Sequence, residues 1–355
     1  MKGRIGGRTL AALLAAMMMA SAVPAGAETA AETAETAEAA KTAAETAETE
    51  AAPETEAAPA LDPVPALELP AAEGGRITEI PVDQDSRKES IEPWPDRYIY
   101  RDGDEAATGY ADPSITVNLG WGRIYETNYV YARVKIASPT QLRTLLASPV
   151  TSNNKTPGHD LAKRVNAVVA INGDFCGGDG VERCALMRQG KMLRLRCDGN
   201  FDILAVDQAG DFHILLNGKD EDVAAIQDQC VNIFTFGPAL VMDGEPLRGR
   251  TRVNLGAGKA AQRMAICQTG PLEYMLITSE GPEDPGSKGL NIDQFVDLVS
   301  SFPGVRQAYN LDGGSSATLV FRKNGKNWVK VNAPNNGKIR PLKDIIFFAT
   351  AWEEP

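Results

Sequence analysis

From about Tyr110 to the C-terminus the chain is cut into short apolar or alternating runs, each closed by Gly, Asn, Asp or Pro. The runs at 115–119, 129–136, 167–171, 201–206, 212–216, 264–267 and 274–278 are too short for core helices. They are rich in residues that suit a pleated, half-buried surface, so they are expected to be strands. Gln208, Ala209 and Gly210 divide two of them, and Asn324-Gly325 divides 319–321 from 328–331. Two hairpins are therefore expected, the second with the pair that a type I′ turn favours. Helical spacing occurs twice. Residues 139–147 place Leu142, Leu145 and Leu146 on one face, with Ser138 as a cap. Ile292, Phe295, Val296, Val299 and Phe302 follow the clearer helical pattern. The expected fold class is α+β, a single domain of mostly antiparallel sheet with a few packed helices.

The N-terminal part cannot contribute to such a core. Lys2, Arg4 and Arg8 precede an apolar run from Leu10 to Val23 and the small residues Ala25-Gly26-Ala27, the layout of a secretory signal peptide cut after Ala27. That run is about 14 residues, against roughly 20 for a bilayer-spanning helix, and no second long apolar stretch follows. Residues 28–60 repeat Ala, Glu and Thr with Lys41 as their one base. Such a segment lacks the apolar side chains to offset chain entropy, so an extended, disordered tether is expected. The expected organisation is a signal peptide at 1–27, tether and Pro-containing linker at 28–100, and a folded domain at 101–355. The whole chain has 36 basic and 47 acidic residues, but nine of the Glu lie in the tether. This balance argues against a nucleic-acid partner, and no stable membrane insertion is expected once the leader is removed. The protein is expected to be secreted or associated with the cell surface.

Two runs carry the chemistry. Asn310-Leu311-Asp312-Gly313-Gly314-Ser315-Ser316-Ala317-Thr318 lies between apolar segments and should form a loop at a strand end. Adjacent glycines allow a close ligand approach, and their successive amides can form an anion-binding nest. Asp312 offers an acid, base or nucleophile, and Ser316 and Thr318 offer hydroxyl groups. A polar turn capped by Asp312 accounts for the same residues. No Lys follows the glycines, so this is not a Walker loop. The second run, Ala170-Ile171-Asn172-Gly173-Asp174-Phe175, ends a strand in an amide, a glycine and a carboxylate, which is also ordinary turn chemistry. Phe236-Gly237-Pro238 and the isolated Arg263 are weaker candidates, readable as a plain turn and a surface or salt-bridge residue. With only His159 and His213 and no Gly-x-Ser-x-Gly elbow, a serine hydrolase is disfavoured.

Taken in order, these runs resemble the phosphodiester glycosidase family. The resemblance opens at Val165-Asn166-Ala167-Val168-Val169-Ala170-Ile171-Asn172-Gly173-Asp174-Phe175. It continues through Phe236-Gly237-Pro238 with Asp243-Gly244, the strand at Arg263, Gly289-Leu290 and the helix from Ile292. It closes with the Asn310 to Thr318 loop, Asn332, Arg340 and a last strand at 345–349. Cys176 and Cys267 depart from the pattern, where an aromatic residue and a glycine are usual. The resemblance implies an exported hydrolase that cleaves the glycosidic bond of a sugar-1-phosphodiester in a cell-surface or extracellular glycan; a phosphomonoester leaves as a stable anion and needs less acid help than an alcohol. On that reading Asp312 and Asp174 are the catalytic carboxylates. Arg263 with the Gly313 and Gly314 amides holds the phosphate, Asn172 and Asn310 orient the sugar, and Gly173, Gly237, Ser316 and Thr318 complete the substrate site. No cofactor or metal is implied, and the partner is a carbohydrate phosphodiester. The alternative is a non-catalytic protein that binds a wall polymer or exopolysaccharide. Five cysteines, an odd number in an exported chain, leave at least one thiol free or paired between chains. A local disulfide among Cys176, Cys184 and Cys197 is expected, with the pair undetermined.

Overall fold

The alternating runs do form strands, and every paired strand is antiparallel. The structure, a computed structural model, describes residues 65–80, 98–100, 107–175, 185–250 and 256–354, all within one compact unit. The expected signal peptide, the Ala/Glu/Thr tether, Cys176 and Cys184 lie outside the described residues. Three sheets make the frame. The nine-stranded sheet runs in the order Glu245–Pro246, Ala239–Met242, Gln307–Leu311, Met264–Gly270, Glu273–Ser279, Thr127–Ile136, Ile115–Ile124, Ala107–Asp112 and Tyr98–Tyr100. A first five-stranded sheet has the order Asn327–Lys330, Leu319–Lys323, Val169–Asn172, Asp344–Phe348 and Leu142–Leu146. A second has Lys191–Arg194, Leu186–Arg188, Cys230–Thr235, Ile203–Asp207 and Phe212–Leu215.

The inner faces of all three sheets share one apolar core, to which Val117 and Ile266, Ile171 and Phe321, and Leu204 and Phe234 contribute from the respective sheets. Each sheet then carries one helix. Helix α1 (Gly158–Arg164) packs Leu161 and Ala162 against Val320 and Phe347. Helix α2 (Asp220–Ile226) sets Val223 against Ala205 and Ile233. Helix α3 (Ile292–Ser301) buries Phe295, Val296 and Val299 against Ala265, Cys267 and Ile277 of the nine-stranded sheet. Asn291 caps α3, taking the Gln294 amide on its side chain while Gln294 reaches back to the Asn291 amide. The helix expected from Ile292 is present, with Phe302 at its C-terminal cap.

The second expected helix is not. Ser138 does form a capping box, but with a single 3-10 turn, Pro139–Gln141, after which Leu142–Leu146 runs as an edge strand paired with Asp344–Phe348. All five of its residues are buried. A strand covered on both faces has apolar residues on both, so Leu142, Leu145 and Leu146 mimicked a helical stripe. With three short helices among the described residues, the fold is mostly β, and the α+β label overstates the helical share. Both expected hairpins form, the second with Asn324 and Gly325 at φ 54° and 64°. Part of the presumed linker is also packed. Leu67 is buried, Thr116 donates to the Glu68 carbonyl, and Arg76–Ile77 pairs with Trp352–Glu353. Residues of the 65–80 stretch thus pack against the folded domain. Cys197, Cys230 and Cys267 are free thiols, so no local disulfide through Cys197 forms.

Phe295 is fully buried between α3 and the sheet. Phe295→Ala is expected to lower unfolding free energy by about 3–5 kcal/mol, measured by chemical denaturation.

Candidate active site

Two segments far apart in sequence meet at one end of the first five-stranded sheet. The strand Val169–Asn172 lies between Leu319–Lys323 and Asp344–Phe348, so the loop that ends at Thr318, the turn after Asn172 and the start of the last strand converge. Asn172 fastens them. Its side-chain amide donates to the carbonyls of Asp312 (2.7 Å) and Gly173 (3.0 Å), and its oxygen accepts from the Thr318 amide (3.0 Å). Below the loop, Lys330 and Asn332 both donate to the Ala317 carbonyl, at 2.8 and 3.0 Å. Asn332 also accepts from Leu319 N–H at 2.9 Å.

Beneath the turn lies a buried ionic cluster. Arg188, on the strand Leu186–Arg188, donates to Asp174 at 2.6 Å and to Asp344 at 2.8 and 3.2 Å. It also donates to the carbonyls of Met187 and Ile233, and its guanidinium lies 4.2 Å from the centre of the Phe234 ring. Arg188, Asp174 and Asp344 are all almost fully buried. Asp174 takes a further bond from Thr235 N–H at 2.8 Å. Burial pushes the Asp174 carboxyl up and Asp344 adds to the rise, while Arg188 and the Thr235 amide act against it. Gly173 is required here, because a Cβ at that position would sit 2.2 Å from an Asp344 carboxylate oxygen.

Asp312 stands above this cluster, half-buried, in a small pocket lined by Lys155, Asn172, Ser316, Arg340 and Asp344. The pocket volume of about 10 Å³ is room for roughly one water. Burial above all pushes the Asp312 carboxyl up to about 6, the Ser316 hydroxyl and Arg340 opposing the rise and Asp174 adding to it. Phe175, bulky and at φ 59°, lines the pocket and lies under the Lys155 ammonium, 5.5 Å from ring centre to nitrogen. A bulky residue in this left-handed region is strained and typical of functional turns. Arg340 donates to the Ser315 hydroxyl at 2.8 Å.

The structure thus brings Asp312, Asp174, Asn172, Gly173 and Ser316 together. It directs the other sequence candidates elsewhere. Arg263 is buried, its Nε donating to the Leu290 carbonyl at 2.9 Å and one Nη to the carbonyls of Gly256, Ala257 and Lys259 at 2.9, 3.2 and 2.5 Å. Burial lowers its pKa to about 10. It organises the 256–259 turn and does not line the pocket. The Gly314 amide donates to the Gln262 carbonyl at 2.8 Å, and the Gly313 amide to the Asp312 carboxylate, so neither is presented as an anion nest. Gly313 owes its identity to packing, since a Cβ there would meet the Gln262 carbonyl oxygen at 2.6 Å. Asn310 donates to the Gly237 carbonyl at 2.6 Å beside the cis Gly237–Pro238 bond. Asn310 Oδ1, Thr318 Oγ1 and Gln262 Oε1 are buried without hydrogen-bond partners, and such groups cost about 1–3 kcal/mol each unless something satisfies them.

Arg188, Asp344, Lys155 and, as a pocket residue, Arg340 were not foreseen. A charged side chain inside Leu186–Arg188, a strand whose residues are all buried, is the one signal that pointed to Arg188. A larger cavity, about 610 Å³, lies between Leu142, Met187, Met192 and Val231 and holds none of these carboxylates. Chemistry, not size, therefore locates the site. Among the described residues no cluster of His, Cys, Asp or Glu is arranged to hold a metal ion.

A profile of the family described as phosphodiester glycosidase matches residues 165–349. Among solved structures, the chain is similar to the zebrafish N-acetylglucosamine-1-phosphodiester alpha-N-acetylglucosaminidase catalytic domain auto-inhibited by its pro-peptide. The two are 15% identical over 78% of this chain and 95% of that one, with a TM-score of 0.53. A hypothetical protein from Synechocystis is 17% identical over 66% of this chain and 62% of that chain, with a TM-score of 0.45. No curated protein matches the sequence.

Removing Arg188 leaves two buried carboxylates facing each other. Arg188→Met is expected to destabilise the protein by about 3–5 kcal/mol at neutral pH, with a smaller loss near pH 4, where Asp174, its pKa raised by burial, is protonated. Denaturation curves at the two pH values check both parts.

Proposed function

The chain belongs to the phosphodiester glycosidase family, and from that premise we propose that it hydrolyses the glycosidic bond of a sugar-1-phosphodiester, with Asp312 acting at the anomeric centre. The observation that carries the reading is Asp312 itself, a half-buried carboxylate raised to about 6 at the mouth of a pocket rimmed by Lys155 and Arg340. A base poised near the working pH transfers protons most effectively. In the proposed step the bond between the anomeric carbon and the phosphate oxygen breaks, and the electron pair leaves with the phosphomonoester. Water forms the new bond to carbon and gives its proton to Asp312. Lys155 and Arg340 hold the leaving phosphate, in place of Arg263 and the glycine amides. Asp174 supports the site from below through Arg188. Asn310 Oδ1 and Thr318 Oγ1 offer polar atoms that substrate hydroxyls or water would satisfy.

The proposal includes export, because residues 1–27 have the layout of a cleaved leader. The substrate is then a phosphodiester of a cell-surface or extracellular glycan. Among the described residues no helix is long and apolar enough to cross a membrane.

Asp312→Asn keeps size and hydrogen bonding but removes the charge. Its kcat is expected to fall at least about a hundredfold on a sugar-1-phosphodiester. Retained turnover in a normally folded variant defeats the assignment, and no turnover by the wild type favours a binding protein.

The same carboxyl sets the pH dependence. In activity, kcat/KM should rise with pH through about 6 as Asp312 ionises. In stability the sign is opposite to that of a salt-bridged Asp. The unfolded group titrates near ~3.9, so between that value and the folded value of about 6 the folded state binds more protons. Stability therefore falls as pH rises across this window and stays lower above it. Asp312→Asn removes the effect and should stabilise the protein by about 1–2 kcal/mol above pH 6, allowing for solvent at its exposed edge, with no gain below ~pH 4. Thermal midpoints across pH test this.

Lys155→Ala and Arg340→Ala should each raise KM about tenfold for a phosphodiester substrate. Arg340→Lys should restore only part, because it lacks the planar fork.

A further inference from the structure

The proposed reaction uses one end of the first five-stranded sheet. At the other end a groove of about 550 Å³ opens between α1 and the hairpin of Leu319–Lys323 and Asn327–Lys330. His159, Asp160, Lys163, Lys323, Lys326 and Trp328 line it. None of the ion pairs among the described residues includes Lys163, Lys323 or Lys326. The one carboxylate of the groove, Asp160, lies 3.7 Å from His159. In a chain with 47 acidic and 36 basic residues, three unmatched ammonium groups around one concavity create a local positive field that attracts an anion.

Trp328 adds a second kind of contact. It is half-buried, and its indole N–H donates to the Ala167 carbonyl at 2.8 Å, which fixes the ring while another part of it lines the groove. A fixed aromatic surface suits the C–H face of a sugar ring, and the flanking lysines suit phosphate oxygens. The two contacts together describe a chain in which sugars and phosphates alternate. Nucleic acid also pairs stacking with phosphate contacts, but its densely charged backbone calls for a strongly basic face, and this chain has a formal net charge of −11.

We propose that this groove is a secondary binding site for a phosphodiester-linked glycan, which it holds at a second point on the protein. The strand Leu319–Lys323 joins the groove to the Asp312 loop. At roughly 3.3 Å per residue it spans about 17 Å, a length that a few sugar-phosphate repeats cover. The role in presenting substrate rests on the proposed hydrolysis, whereas the binding does not.

The test titrates Asp312→Asn protein, which leaves the linkage intact, with a hexose oligomer of about ten phosphodiester-linked repeats. An uncharged glucan of equal length, inorganic polyphosphate and a single-stranded oligonucleotide serve as comparisons. The sugar-phosphate oligomer should bind best, and its affinity should fall with added salt. Combining Lys163→Gln, Lys323→Gln and Lys326→Gln, which keeps most of each apolar stem, should weaken it about tenfold. In the otherwise wild-type enzyme the same triple change should leave KM for a single sugar-1-phosphodiester unchanged. If the triple variant loses stability, Lys163→Gln with Lys326→Gln, both at exposed positions, reads the same effect. Unchanged oligomer binding in these variants overturns the proposal, as does equal or tighter binding of the oligonucleotide or polyphosphate. Binding through the three lysines in a protein that turns over no sugar phosphodiester sustains the groove and removes the reaction.

Discussion

The guanidinium of Arg188, buried between Asp174 and Asp344, is the constraint on which the rest of the site depends. It joins a strand of the second five-stranded sheet to the turn after Asn172 and to the last strand of the first sheet. Two carboxylates this deeply buried would not both stay ionised without a cation between them. Its other donors are taken by the Met187 and Ile233 carbonyls, and Phe234 covers its face. The cluster leaves no room above Gly173, which explains that glycine by contact distance. With Asp174 and Asp344 matched by Arg188, Asp312 is the pocket carboxylate that Arg188 does not hold.

Asp312 is held by groups that serve the loop first. The Gly313 and Gly314 amides, the Asn172 amide and the Gln262 carbonyl all maintain the turn. A loop partly withdrawn from water has to satisfy its own backbone, and this one does so with the groups that its sequence offered for an anion. The positive charge at the pocket comes instead from Lys155 and Arg340, on segments before α1 and before the last strand. Raising a carboxylate's pKa by burial lowers stability at neutral pH. Such a trade is common where a protein keeps a reactive group.

A division of labour within the first five-stranded sheet follows. Its Asp312 end is tight, with room for about one water in a pocket of about 10 Å³. Its hairpin end is open and positively lined. A short rigid strand connects the two, so a polymer held at one end is presented at a fixed distance from the other.

The sequence by itself determined what depends on local pattern. Alternation gave the strands at 115–119 and 129–136, Asn324-Gly325 the hairpin turn, and the apolar spacing from Ile292 the helix. The ordered runs from Val165 to the last strand carried the family, and Asp312, Asp174, Asn172, Gly173 and Ser316 do meet in space. What only the tertiary structure decided depends on partners remote in sequence. Leu142–Leu146 became a strand because both its faces are covered. Arg263, an apparent anion ligand, is engaged by four carbonyls of neighbouring turns. Arg188 meets Asp344 across 156 residues. Periodicity and turn chemistry report what a residue does with its neighbours in the chain. Which charge faces which across a core is set by the packing of sheets, and no local pattern records it.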